Sequence, residues 1–287
     1  MSATENATLK SEMVRRGSLH LINVPRIKRW GAYYVLEARI RNMSKWKFSI
    51  LAASIGSPLF YLISVGIGVG SFINSHSAGR GIDGVKYMTF LAPALLAQVA
   101  IQDGLSEVTF PTLQGFKWEK NFFAMNSTPL TGRHIAVGTW LSAIARISLT
   151  VVAYIAIMYT FGAIHGWSPL LAIFTAVLGS AAFSALMMGA TAAIKNDDMF
   201  LTLLQRVAIM PLFLFSGTFY PLKSMPEFLQ WIGWCSPVWH ATELGRWLTY
   251  DHPLNGNSLL IHFSYFAVML VGGLWFAIRT FEKRLAK

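Results

Sequence analysis

Six stretches of the chain are apolar over lengths that a water-soluble fold rarely sustains: residues 48–70, 88–109, 135–162, 169–194, 200–221 and 258–279. A helix rises about 1.5 Å per residue, so roughly 20 apolar residues cross the ~30 Å hydrocarbon layer of a bilayer. Lipid offers the backbone no hydrogen-bond partner, so an apolar run of that length spans as a helix that bonds to itself. Six runs therefore predict an all-α integral membrane protein with six transmembrane helices and both termini on one side. Charged residues make up 13% of the chain, about half the ~25% of soluble domains, which agrees.

The net charge of +11 would suit a nucleic-acid partner if it were gathered on one soluble surface. Its placement excludes that reading. Arg26, Lys28, Arg29, Arg39, Arg41, Lys45 and Lys47 precede or open the first run, and Arg279, Lys283, Arg284 and Lys287 end or follow the last. Lys117, Lys120 and Arg133 lie between the second and third runs and Lys195 between the fourth and fifth, against only Arg80, Lys86, Lys223 and Arg246 on the opposite side. Basic residues collect on the cytoplasmic side of membrane proteins, so the N- and C-termini are expected to be cytoplasmic. The expected organisation is a disordered tail over 1–25, an interfacial amphipathic helix over 26–46, the membrane domain over 47–279 and a short cytoplasmic tail over 280–287. In the amphipathic stretch Trp30, Tyr33, Leu36 and Ile40 recur at helical spacing among Arg and Lys. The first 46 residues lack an apolar core of signal-peptide length. Cys235 is the sole cysteine, which excludes an internal disulfide.

Motifs of catalysis are missing. The sequence contains no G-x-x-x-x-G-K-[ST] phosphate loop, no H-E-x-x-H zinc pair and no G-x-S-x-G nucleophile elbow. His240 and Glu243 stand one turn apart without a third ligand, so a hydrogen-bonded pair is expected there and no metal site.

Polar residues inside the runs carry more information. A charge in hydrocarbon costs at least about 2.5–3.5 kcal/mol, so it faces the bundle interior or a wet path. The second run holds Gln98, Gln102, Asp103, Ser106 and Glu107. At four-residue spacing Gln98, Gln102 and Ser106 form one stripe, and Asp103 and Glu107 the neighbouring one. Counting along the helices puts Arg206 of the fifth run at the depth of Asp103, and Arg146 of the third nearer Gln98. Arg206 is therefore expected to neutralise Asp103 or Glu107, and Arg146 to bond Gln98, Gln102 or backbone carbonyls. A structural role for these ion pairs and a role in a polar path both stay open. An intramembrane enzyme using Asp103 and Glu107 as acid and base is the competing class, and it predicts activity from the chain alone. Glycines in "GIGVG" at 66–70, with Gly179, Ser180, Ala182, Ala185, Gly189 and Ala190 in the fourth run, predict close helix packing.

Two segments, taken in order, carry a resemblance. The first is "YMTFLAPALLAQVAIQDGLSEVTFPTLQGFKWEKNFFAMNSTPLTGRHIAVG" over 87–138; the second is "FLFSGTFYPLKSMPEFLQWIGWCSPVWHATELGRW" over 213–247. Together with the basic lead-in and the six runs, the chain resembles the membrane subunit of type 2 ATP-binding-cassette exporters, daunorubicin-resistance and nodulation-factor-export permeases in particular. That resemblance implies a permease in the bacterial plasma membrane that hydrolyses nothing itself. ATP and Mg would sit on a separate nucleotide-binding subunit, present in two copies, and a second permease, identical or related, would complete the path. It implies a cytoplasmic coupling helix over about 115–127, with Phe116, Lys117, Trp118, Glu119, Lys120, Phe122 and Phe123 meeting the ATPase. It further implies extracellular re-entrant helices over about 222–250, between spans five and six. There Pro221, Pro226 and Pro237 would break the chain into "EFLQWIGW" and "VWHATELGRWL". Phe213, Phe215, Phe219 and Tyr220 are candidates for an apolar gate, and Trp231, Trp234 and Trp239 for interface anchors. His240, Glu243 and Arg246 are expected to hold this lid together. Drugs, lipids or glycolipids are the expected cargo, with a polysaccharide or teichoic acid as the alternative.

Overall fold

A computed structural model describes residues 24–76, 82–194, 206 and 209–286. Among them the ordered elements are all helices, joined by loops, with no strand; an isolated bridge links Ile82 and Val85. Helix α1 spans Val24–Ser44, α2 Lys47–Tyr61 and α3 Gly70–His76, and the stretch Leu62–Val69 between α2 and α3 winds as a wider π-helix. Helix α4 spans Tyr87–Leu113 and continues into a π-helical turn over Gln114–Trp118, followed by the short α5, Asn121–Asn126. Then come α6, Gly132–Thr160, and α7, Ala172–Ala193. The chain ends with α8, Met210–Leu214, α9, Glu227–Cys235, α10, Pro237–Tyr250, and α11, Gly256–Leu285.

Among the described residues four helices are long and apolar enough to cross a bilayer: Tyr87–Trp118, Gly132–Thr160, Ser168–Ala193 and Gly256–Leu285. They coincide with the second, third, fourth and sixth apolar runs. The first run is an interrupted helix, and Leu62–Ile73, which overlaps its second half, is a shorter apolar helix. Residues 200–205 and 207–208 of the fifth run, 200–221, lie outside the described residues, as do the tail over 1–23 and Lys195.

Helix α7 is the hub, in contact with α4, α6, α10 and α11. Its small residues make that possible. Ser180 donates a 2.5 Å hydrogen bond from Oγ to the Ala100 carbonyl of α4, and Trp140 of α6 donates from Nε1 to Ala181 O at 3.0 Å. On the α11 side a Cβ at Gly273 would lie 2.7 Å from the Leu186 backbone nitrogen. Only a glycine lets the two backbones approach so closely, because no side-chain rotation could relieve that overlap. Of the "GIGVG" glycines, Gly66 is buried against Met88, whereas Gly68 faces open space.

Helix α1 does not lie apart from the bundle. It runs beside the first half of α6 in parallel register: Lys28 O meets His134 Nε2 at 3.1 Å, Val35 packs on Gly138, and Arg39 Nε donates to Ser142 Oγ at 2.8 Å. Its protein-facing residues are thus Gly31, Val35 and Arg39, while Trp30, Tyr33 and Ile40 point outward. Burial lowers the Arg39 guanidinium to about 10.

Candidate functional site

The first candidate surface is the segment joining α4 to α6. The resemblance implies a coupling helix over about 115–127; in the structure the chain there breaks at Lys120, a non-glycine residue in the left-handed region at φ 54°. Glu119 staples the break, accepting from Gln114 Nε2 at 2.5 Å and from Asn121 Nδ2 at 3.2 Å. Beneath it lies an aromatic cluster. Phe116 packs edge-on against Phe122, with ring centroids 5.0 Å apart, and against Phe281 of α11 at 4.8 Å. The Arg284 guanidinium covers the Phe116 ring at 4.3 Å and donates to the Ala192 and Ile194 carbonyls at the end of α7. The predicted aromatics therefore divide. Phe116 and Phe122 are buried supports, whereas Trp118 is 59% and Phe123 37% exposed. Next to it, Thr131 and His134 form a capping box at the start of α6. Because His134 Nδ1 accepts from the Thr131 N–H, its Nε2 carries the proton that it donates to Lys28 O.

The second candidate is the polar side of α4, and its two stripes face different things. Glu107 forms an ion pair with Arg146 of α6, and Asp103 is hydrogen-bonded to Thr150 within the field of the same arginine. This corrects the expected pairing: Arg146 and not Arg206 neutralises Glu107, and Arg146 does not bond to Gln98 or Gln102. The reason is rotational. Asp103 and Glu107 point at α6, while the Gln102 stripe is turned away from it. Gln102 and Ser106 instead line a cavity of about 400 Å³, together with Phe110, Arg206, Phe213 and Ser236. The remaining wall is mostly apolar, including Ile101, Leu105, Phe183, Met210 and Val238. Gln98 is buried, with its Oε1 unpartnered.

The third candidate sits at the opposite end of the bundle, at the short helices α9 and α10, over the segment for which the resemblance implies a lid. Arg246 is its keystone, 1% exposed. Its guanidinium stacks 3.8 Å over Phe90 of α4, donates to Gly217 O at 2.8 Å and bonds Glu243 at 3.0 Å. Glu243 also meets His252 Nε2 at 3.4 Å, and His252 Nδ1 lies 3.7 Å from Asp83 in the turn before α4. Burial raises the Glu243 carboxyl, but the hydrogen bond from His252 and the Arg246 charge outweigh it, so the group stays below its ordinary range.

His240 does not pair with Glu243 as expected. Its Nε2 faces Trp234 O at 2.9 Å, its Nδ1 faces His262 Nδ1 of α11 at 2.7 Å, and its ring stacks on Tyr265 at 3.9 Å. A carbonyl only accepts, so His240 carries its proton on Nε2 and receives the one on His262 Nδ1. Burial first, and then the neighbouring His262, push His240 down to about 4.

The candidate gate and anchor residues separate as well. Phe213 lines the cavity, while the Phe219 carbonyl accepts from Tyr87 at 3.4 Å. Phe215 is half-buried, and its carbonyl lies close beside Gly233 of α9; Tyr220 is exposed. Trp231 and Trp234 are more than half exposed. Trp239 is turned inward against the His240 and His262 rings. Phe281, His262, His252 and Asp83 escaped the sequence reading, and Arg284 entered it only as an orienting charge. Only His262 left a signal there, as an ionisable side chain inside an apolar run.

The sequence pattern of the ABC-2 type transporter family matches residues 32–250. "Nodulation protein J" of Sinorhizobium fredii is 26% identical over 248 residues, covering 85% of this chain and 91% of that protein. The protein of the same name from Rhizobium leguminosarum bv. viciae is 28% identical over 236 residues, covering 80% and 87%. "Inner membrane transport permease YadH" of Escherichia coli is 26% identical over 203 residues, covering 69% and 74%.

Proposed function

The chain belongs to the ABC-2 type transporter family, as a multi-pass permease subunit, and from that premise we propose that it moves an amphipathic substrate outward across a bacterial inner membrane. A separate ATPase subunit supplies the energy. ATP and Mg bind on that subunit, since this sequence has no phosphate loop. Two ATPase copies and a second permease, identical or related, complete the machine. The termini and the α4–α6 connection face the cytoplasm, the side to which the basic residues of α1, of that connection and of the end of α11 assign them.

The observation that carries this reading is the α4–α6 connection. Buried Phe116 and Phe122 hold exposed Trp118 and Phe123 on a rigid aromatic base, ringed by Lys117, Glu119 and Lys120. Exposed aromatics on a fixed support are the kind of anchor that a protein groove accepts. The π-helical turn continues α4 without a break, so a push on it reaches Gln102 and Ser106 in the cavity wall along one helix. Closure of the ATPases on ATP would thus favour one of two bundle packings. The apolar cavity with a few polar groups suits a lipid, glycolipid or drug. Exposed Trp231 and Trp234 favour the second reading, a polysaccharide or teichoic acid stacking at the lid.

Coexpression of the chain with its ATPase subunit tests this. Trp118→Ala with Phe123→Ala should weaken association at least about tenfold, the loss expected of two hot-spot aromatics, and should abolish substrate-stimulated ATP hydrolysis. Wild-type association and stimulation in a double variant that still folds would reject the docking surface.

A further inference from the structure

A cleft of about 400 Å³ opens between the ends of α7 and α11 on the side of the α4–α6 connection. Ala192 and Ala193 form its floor, Trp275 and Phe276 one wall, and Arg279, Lys283 and Arg284 its rim. Position decides the character of this face. Val268, Val271 and Trp275 recur at helical spacing on α11, each at least 62% exposed, and Arg279 follows one turn later with its guanidinium 5.5 Å over the Trp275 ring. An apolar track thus runs up the helix and ends in a basic cleft. Among the described residues no carboxylate lines it; Glu282 of α11 turns the other way, against Gly132 at the start of α6.

We propose that this cleft binds the headgroup of an anionic phospholipid, with its acyl chain along Val271 and Val268. The chemistry selects that ligand. Arg279 offers a planar fork of donors for phosphate oxygens and Lys283 a second cation. A zwitterionic headgroup would bring an ammonium into a rim where none of the described residues offers a carboxylate to receive it. A free anion would gain nothing from the Trp275 track. Basic pockets between membrane helices on the cytoplasmic side are suited to such headgroups. The lipid also touches Arg284, which braces Phe116, so its binding would stiffen the base of the α4–α6 connection.

The test places the full-length chain in phosphatidylcholine nanodiscs containing a minority of brominated phosphatidylglycerol, and reads Trp275 quenching as the difference between wild type and Trp275→Phe. Brominated phosphatidylglycerol should quench Trp275 more than brominated phosphatidylcholine does. Arg279→Gln with Lys283→Gln should lower the relative affinity about tenfold or more, since each basic side chain near the surface contributes to anionic-lipid attraction. Arg279→Lys with Lys283→Arg should retain the preference, and inorganic phosphate should not reverse it. Equal quenching by the two lipids in the wild type would overturn the proposal, whether or not the glutamine variant folds. So would a preference that survives in a folded glutamine variant, or one that inorganic phosphate abolishes. None of these outcomes depends on ATPase docking.

Discussion

Glu107 and Arg146 join α4 to α6 from within the bilayer, where an uncompensated charge has little water to turn to. Breaking a fully buried pair from one side costs about 3–5 kcal/mol. Here Asp103 lies in the same field and the pair is partly accessible, so Glu107→Gln should cost about 2 kcal/mol. The measurement is thermal unfolding in detergent. Glu107→Leu with Arg146→Met should recover most of the loss, because removing both charges leaves none stranded. The His240–His262 contact gives a second prediction, with a definite sign. The folded His240 sits near 4 against an ordinary 6.5, so the lid keeps its full stability above about pH 6.5 and loses it as pH falls toward 4. A proton on His240 Nδ1 would set two N–H groups face to face. Amide protection in α9 and α10, corrected for the intrinsic slowing of exchange at lower pH, should therefore fall from about pH 7 to about pH 5, and His262→Gln should flatten that dependence. Corrected protection in α10 that is independent of pH would reject the role of His240. The residues of this lid were only partly legible. "SPVWHATELGRW" identified the helix and its arginine, but not that His240 turns toward α11, because the rotation of one helix against another is set by packing.

At the scale of elements, the approach of α7 and α11 is decided by backbone, and Gly273→Val should prevent it. The added Cβ meets the Leu186 nitrogen, which cannot move without its helix. The expected result is a chain that inserts but fails to give a monodisperse peak in size-exclusion chromatography. Gly272→Val is the control, since nothing lies within 4 Å of a Cβ there, and it should behave as wild type. An intact bundle in Gly273→Val would show that the helices can separate cheaply. The small residues of the fourth run announced such packing in the sequence, though not which partner they would meet. The connection after α4 was legible by its aromatics, yet its break at Lys120 was not, because the sequence there carries no glycine or proline. The Glu119 staple, made with side chains on both sides of the break, compensates for a left-handed lysine.

On the scale of the whole molecule, four membrane-length helices could be read from apolar length alone, and the distribution of Lys and Arg gave them an orientation to be tested. Contacts that tie distant parts were not legible. Asp83, His252 and Glu243 link the turn before α4 to the lid through three sequence regions, and α1 lies along α6 through the small interface of Gly31, Val35 and Arg39. Such contacts depend on three-dimensional placement that no local spacing encodes. The aromatic base of the α4–α6 connection has a consequence in time. Phe116 and Phe122 are translated early, but the ring that packs against both, Phe281, belongs to the last helix. A nascent chain with its first helices already made thus lacks the ring that completes this base. On the docking proposed above, recruitment of an ATPase would wait until α11 has left the ribosome and packed.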